Sequence, residues 1–141
     1  MLLIWLTLLS SPWQLLEEEA ICTWYGEAFV GRRHAASWHK ETPWNFPEVV
    51  TGTDYGIAAP IDVPFGTILR LTRVQTCYGE TSEYDGRSVI VVVVDRKRNY
   101  RARGYFDLWP AAAKRLGFGP EFEDDAGCVK VRVEALNLRA S

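Results

Sequence analysis

A run of β-branched residues constrains the fold of this chain more than any other feature. Residues Ser88 to Val94 read SVIVVVV, which ends in four consecutive valines. Branched side chains favour strands, and an unbroken apolar run predicts a strand that is covered on both faces. We therefore expect a mainly β fold packed around this strand.

Two further segments alternate apolar and polar residues with the period of a strand. They are Ile68 to Val74 and Val129 to Leu136, and in the second the three valines and Ala135 share one side. Asp85 and Gly86 form a strong turn signal just before the valine strand. These segments predict strands with one face towards a common core.

The rest of the chain predicts one helix and one long loop. Residues 110–117, PAAAKRLG, begin with proline and end with glycine, as short helices often do. Four prolines interrupt Glu41 to Thr67, which therefore reads as a long, aromatic-rich, irregular loop. A small closed barrel is the economical fold, because closure leaves no strand edge exposed.

The N-terminal segment, residues 1–21, contains an apolar run from Leu2 to Leu9 followed by Ser10 and Ser11. This pattern resembles a secretory signal, although no cation precedes the run. The run is too short to span a membrane as a helix, so no integral span is expected. The alternative is a segment that packs on the barrel or docks on a partner protein. We assign the barrel domain to residues 22–138.

Three cysteines, Cys22, Cys77 and Cys128, lack the CxxC spacing of a zinc site. In an exported protein the simplest arrangement is one disulfide plus one thiol, and spacing does not determine the pair; three reduced, buried cysteines are the alternative. His34 and His39 are predicted to be surface residues. No metal and no cofactor are expected, since the sequence has no dinucleotide or phosphate-loop motif. The net charge of −2 argues against a general role on nucleic acid.

The segment after the valine strand is strongly basic and lies between two aspartates, Asp95 and Asp107. Its cations are Arg96, Lys97, Arg98, Arg101 and Arg103. Guanidinium groups suit the carboxylates or phosphates of a ligand. A solvated loop or a contact with an acidic partner protein is the alternative.

Five segments in order resemble a known family. They are TWYGEAFVGRRHAAS (23–37), PFGTILRLT (64–72), GRSVIVVVVDR (86–96), FDLWPAAAKRLG (106–117) and VKVRVEAL (129–136). Together they resemble the double-psi β-barrel of rare lipoprotein A, a bacterial septal lytic transglycosylase, and of expansins. The resemblance implies a six-stranded double-psi β-barrel with one short helix.

The resemblance also implies a site for peptidoglycan or another wall glycan. Asp107 stands where the family carries its key carboxylate, Asp95 ends the preceding strand, and Glu41 is the third catalytic candidate. A lytic transglycosylase needs one acid/base, which protonates the leaving oxygen while the 6-hydroxyl of N-acetylmuramic acid attacks C1. Asp107 is the candidate for that group, and its alternative role is to cap the following helix. Asp95 is the candidate for a supporting carboxylate, and its alternative role is that of a turn residue that ends the strand.

The candidate glycan-contacting residues come from several segments. They are Thr23, Tyr25, Trp38, Trp44, Tyr105 and Arg96, with Phe46 beside the tryptophans and with Phe106 and Trp109 beside Tyr105. Exposed indole rings suit the C–H faces of sugars, whereas Tyr25 and the aromatics of the long loop are otherwise core residues. Pro60 stands where the lytic transglycosylases carry a functional histidine, and Trp38 where they carry a glutamate.

Three functions follow as hypotheses. The first is an exported lytic transglycosylase of the periplasm or cell envelope. The second is a non-catalytic, expansin-like barrel that binds wall glycan. The third is a structural protein such as a phage virion component, whose N-terminal segment docks on a partner.

Overall fold

The computed structural model describes residues 11–96, 104–119, 121–122 and 127–137. The strands are β1 (Trp13–Trp24), β2 (Gly56–Ala59), β3 (Ile68–Thr76), β4 (Ser88–Arg96), β5 (Tyr105–Leu108) and β6 (Val129–Leu136). The helices are α1 (Ala35–Trp38) and α2 (Pro110–Arg115), and a 3-10 turn spans Glu27–Phe29. The strands close into a barrel in the order β1-β5-β2-β4-β3-β6, with β6 returning to β1. The mainly β fold and the closed barrel are confirmed.

The alternating segments form the barrel wall as predicted. In β6, Val129, Val131 and Val133 are buried and Ala135 packs against the same core. In β3 the leucines point inward. Helix α2 begins at Pro110 and carries two cations in its last turn, where they complement the helix dipole.

The prediction for β4 is wrong in its first half. Ile90 is 52% exposed, so the outer face of the strand is open to solvent there. Only the end of the strand is covered on both faces, because Val94 belongs to a second, outer cluster that includes Tyr25, Val50 and Trp109. The long loop thus packs over one end of the barrel wall.

Strand β2 lies inside the segment that was predicted to be irregular, and that prediction is wrong for Gly56–Ala59. The strand is completely buried, pairing in parallel with β4 and antiparallel with β5. Its small residues carry no alternating pattern, so propensity gives no signal. A Cβ at Gly56 would lie 2.4 Å from the indole ring of Trp109, which explains why no side chain is present there.

Helix α1 was also missed, and His34, at its start, is buried rather than exposed. The Nδ1 atom of His34 accepts a hydrogen bond from the backbone N–H of Ser37 at 3.1 Å, which caps the helix. Its Nε2 atom lies 2.6 Å from the carbonyl oxygen of Pro47 and therefore donates to it. His34 is a structural residue, whereas His39 is exposed as predicted.

Strand β1 begins at Trp13 and pairs with β6 from Trp13 onward, so the barrel extends into the segment assigned to the N-terminus. Residues 1–10, which include the apolar run, lie outside the described residues. Cys22 is buried in the barrel, and the disulfide joins Cys77 to Cys128. Within the described ranges, no helix has the length and apolar character needed to cross a membrane.

Candidate functional site

Asp95 and Asp107 lie on either side of one residue of β2. Ala58 is the register partner of Asp95 in β4 and of Asp107 in β5, and Asp107 is in turn the partner of Thr23 in β1. Register partners point to the same face of a sheet, and adjacent strands are about 4.8 Å apart. The two aspartates therefore share the outer face of the barrel, with Cα atoms roughly 10 Å apart.

Asp107 is held by a side chain of the neighbouring strand. The hydroxyl of Thr23 lies 2.8 Å from Oδ1 of Asp107 and 3.4 Å from the carbonyl oxygen of Phe106, so its stronger hydrogen bond goes to the carboxylate. Asp107 does not cap α2, because the residue at the start of that helix is Trp109 and its cap involves no side-chain hydrogen bond.

Asp95 accepts three hydrogen bonds. The hydroxyl of Tyr25 donates to Oδ2 at 2.7 Å, and the backbone N–H groups of Ala35 and Arg96 donate to Oδ1 at 3.0 and 2.9 Å. These three donors fix the orientation of the carboxyl group. The contact with Ala35 also ties the start of helix α1 to the end of β4.

Tyr25 interacts electrostatically with both carboxylates. Burial raises the pKa of its phenol most, and the negative charges of Asp95 and Asp107 raise it further. The hydroxyl therefore remains a donor at physiological pH. Tyr25 is only 7% exposed and its ring packs on Phe29, so it presents no ring face to a sugar.

An open groove of about 470 Å³ adjoins Asp95. It is lined by Ala35, His39, Glu41, Ile61, Phe65 and Arg96. The guanidinium of Arg96 lies over the ring of Phe65, 4.0 Å from its centroid, and the imidazole of His39 stacks with the same ring at a centroid distance of 6.2 Å. Ile61 is 59% exposed. The groove thus combines an apolar wall with a cation and a carboxylate.

Arg96 is fixed within this groove. Its Nη1 atom donates to the carbonyl oxygens of Pro60 at 3.3 Å and Val63 at 2.8 Å. Burial lowers the pKa of the guanidinium, while the charges of Asp95, Glu41 and Asp62 act in the opposite direction. The other predicted basic residues, Lys97, Arg98, Arg101 and Arg103, lie outside the described residues.

The remaining predicted site residues, Trp38, Trp44, Glu41 and Tyr105, are all exposed. Trp38 and Trp44 are 67% and 94% exposed, and the guanidinium of Arg33 lies 4.4 Å above the ring of Trp38. Glu41 is exposed and lines the groove. Tyr105 is exposed on the outer face of β5, two residues before Asp107.

Three predicted aromatics do not line the site. Phe106 points into the barrel, on the opposite side of β5 from Asp107, and Trp109 is completely buried in the outer cluster. Phe46 packs on Trp109 with ring centroids 5.5 Å apart, so it pins the long loop to the barrel. The predicted apolar wall beside Asp107 is wrong for Phe106 and Trp109, because strand alternation and the covering loop bury them.

Three groove residues were not predicted from the sequence: Phe65, Ile61 and His39. The signal available for Phe65 was its place in the segment PFGT, which precedes β3 and belongs to the resemblance. No pattern identified Ile61. In the part of the chain that the structure describes, no three His, Cys, Asp or Glu residues are placed to hold a metal ion.

No protein-family model matches this sequence, and no curated protein matches it either. Among solved structures, the chain is similar to a mutant Clavibacter michiganensis expansin that was crystallised in complex with cellohexaose. The TM-score is 0.52 and the sequence identity 16%, over 84% of this chain and 49% of that one, so the chain spans about half the length of the expansin. Similarity at this identity is evidence of fold. The chain therefore has a closed six-stranded barrel whose fold is similar to that of the expansin structure.

Proposed function

We propose that this protein binds the glycan strands of a cell wall at the outer face that carries Asp95 and Asp107. The observation that carries the proposal is the placement of these two carboxylates on either side of Ala58 in a barrel of expansin fold. The solved expansin holds a cello-oligosaccharide, which supports a glycan as the class of ligand here.

The chemistry of this surface suits a polysaccharide. Carboxylates accept hydrogen bonds from sugar hydroxyls, and the adjoining groove offers the exposed side chain of Ile61 to the apolar face of a sugar ring. Two exposed tryptophans, Trp38 and Trp44, are further candidates for stacking on sugar rings.

The proposed location is outside the cytoplasm, in the periplasm or cell envelope. The disulfide between Cys77 and Cys128 supports this, because disulfides persist mainly in oxidising compartments. Peptidoglycan is the proposed wall polymer, in keeping with the family resemblance of the sequence.

A lytic transglycosylase is the second candidate. In that reaction Asp107 protonates the glycosidic oxygen and then accepts the proton of the attacking 6-hydroxyl. Asp95 supports this role from a position that hydrogen bonds from Tyr25, Ala35 and Arg96 hold in place. Binding ranks first because Pro60, in the place of the family's histidine, is buried and gives its carbonyl oxygen to Arg96.

The test combines binding and turnover on one substrate. Wild type, Asp107→Asn and the control Glu83→Gln are mixed with purified peptidoglycan, with and without stem peptides. Bound protein is measured by sedimentation and soluble products by mass spectrometry. Glu83 is an exposed carboxylate just before the start of β4, at the other end of the strand from Asp95.

Sedimentation of wild type and Glu83→Gln with the wall, weakened in Asp107→Asn and without products, supports the binding function. Anhydro-muropeptides from wild type and Glu83→Gln, but not from Asp107→Asn, establish the lytic transglycosylase. Absence of both binding and products from wild type refutes the proposal.

A further inference from the structure

The groove beside Asp95 contains an arginine whose position is fixed and whose donors are only partly used. In the part of the chain that the structure describes, both side-chain hydrogen bonds of Arg96 come from Nη1. Within the described residues, no hydrogen bond or ion pair is formed by its Nε or Nη2 atoms. These two atoms form the side of the guanidinium that binds two acceptor lone pairs at once.

The guanidinium of Arg96 is surrounded by acidic side chains. Asp95, Glu41 and Asp62 each act on the guanidinium electrostatically. An anionic ligand group at Nε and Nη2 would meet the repulsion of three carboxylates, whereas a neutral oxygen acceptor would not. The unused donors of Arg96 therefore favour a carbonyl oxygen over a carboxylate or a phosphate.

The apolar wall next to these donors consists of Phe65 and Ile61. Phe65 lies directly under the guanidinium and Ile61 is exposed in the same groove. A ligand group that offers a carbonyl oxygen to Arg96 and a methyl group to this wall satisfies both features. The acetamido group of an N-acetylhexosamine has this combination, and a glucose unit of cellulose has neither.

We infer that the groove formed by Arg96, Phe65 and Ile61 is a subsite for the N-acetyl group of an amino sugar. The inference rests on the proposed glycan-binding function and adds selectivity to it. The protein discriminates N-acetylated glycans, such as chitin-type or peptidoglycan strands, from neutral glucans and from de-acetylated strands. Arg96 and Ile61 determine this specificity.

The experiment measures binding of three hexasaccharides by titration calorimetry: chitohexaose, cellohexaose and the hexamer of glucosamine. The proteins are wild type, Arg96→Gln, Ile61→Ser and the control Arg132→Gln. Arg132 is exposed on the outer face of β6, which β3 separates from β4. Ile61→Ser is a second probe because its exposed side chain can be shortened without loss of core packing.

We expect wild type and Arg132→Gln to bind chitohexaose about ten-fold or more tightly than cellohexaose, since a charge-assisted hydrogen bond and apolar contact are gained together. Arg96→Gln and Ile61→Ser lose most of this preference, because their affinity for chitohexaose falls towards their affinity for cellohexaose. Equal binding of chitohexaose and cellohexaose by wild type refutes the N-acetyl subsite but leaves glycan binding intact.

Two other outcomes also overturn the inference. Tightest binding of the glucosamine hexamer assigns the selectivity to the carboxylates around Arg96 rather than to its donors. Binding of no hexasaccharide, together with no sedimentation on peptidoglycan, refutes the proposed function itself.

Discussion

The hydrogen bond from Tyr25 to Asp95 gives a prediction that joins stability to the geometry of the site. Tyr25→Phe removes the hydroxyl that donates to Oδ2 of Asp95 at 2.7 Å and leaves the ring in place. A hydrogen bond to a charged group contributes about 1.5–3 kcal/mol to stability. Asp95 is only half-buried, so water can replace part of the lost bond, and we expect a loss near the lower limit.

The expected change is therefore a decrease of about 1.5 kcal/mol in the free energy of unfolding. For a chain of this size that corresponds to a fall in Tm of roughly 5 °C. Urea unfolding followed by circular dichroism measures the free energy, and a thermal scan measures Tm. The matched control is Tyr78→Phe, since Tyr78 is a largely exposed tyrosine. A Tyr25→Phe protein that is as stable as this control would show that the hydroxyl does not hold Asp95.

The same pair predicts a dependence on alkaline pH. The pKa of Tyr25 is raised in the folded protein, mainly by burial and then by Asp95 and Asp107. Its contribution to stability is complete below the unfolded-state pKa of about 10 and decreases as pH rises above that value. The stability difference between wild type and Tyr25→Phe should therefore shrink between about pH 9 and pH 11. A constant difference across this range, measured by urea unfolding, would contradict the electrostatic environment described for Tyr25.

Two predictions concern the framework of the barrel. Gly56→Ala forces a methyl group against the ring of Trp109 and should lower the free energy of unfolding by about 1–3 kcal/mol. The control Gly52→Ala, in open space, should leave urea unfolding nearly unchanged. Equal stabilities of the two variants would disprove the close contact. Replacing Cys77 and Cys128 with serine removes a cross-link over 51 residues and should lower the free energy of unfolding by about 4 kcal/mol, as measured against the oxidised wild type; a loss below 1 kcal/mol would mean that the disulfide does not restrain the unfolded chain.

The sequence predicts those strands whose apolar residues form a pattern. β3 and β6 alternate visibly, and β4 carries a β-branched run. β2 was missed because glycine and alanine fit a buried strand without marking one, and its identity as a strand depends on two neighbours that lie far away in the sequence. The pairing of Cys77 with Cys128 is likewise a tertiary property that spacing does not encode.

The site was predictable only in part for the same reason. Asp95 and Asp107 stand out in the sequence because they bracket a charged segment next to a buried strand. The partner of Asp95, Tyr25, is 70 residues away, and nothing local distinguishes it from a core aromatic. The path of the long loop places Ile61 in the groove, and secondary-structure propensities do not specify that path.

The position of Ala58 between two aspartates has a consequence for how this chain can diverge. The backbone hydrogen bonds that join β2 to β4 and to β5 set the separation of Asp95 and Asp107. Residues 97–103, which connect the two aspartates along the sequence, do not set that distance. The length and charge of this connection can therefore change during evolution while the two carboxylates keep their spacing.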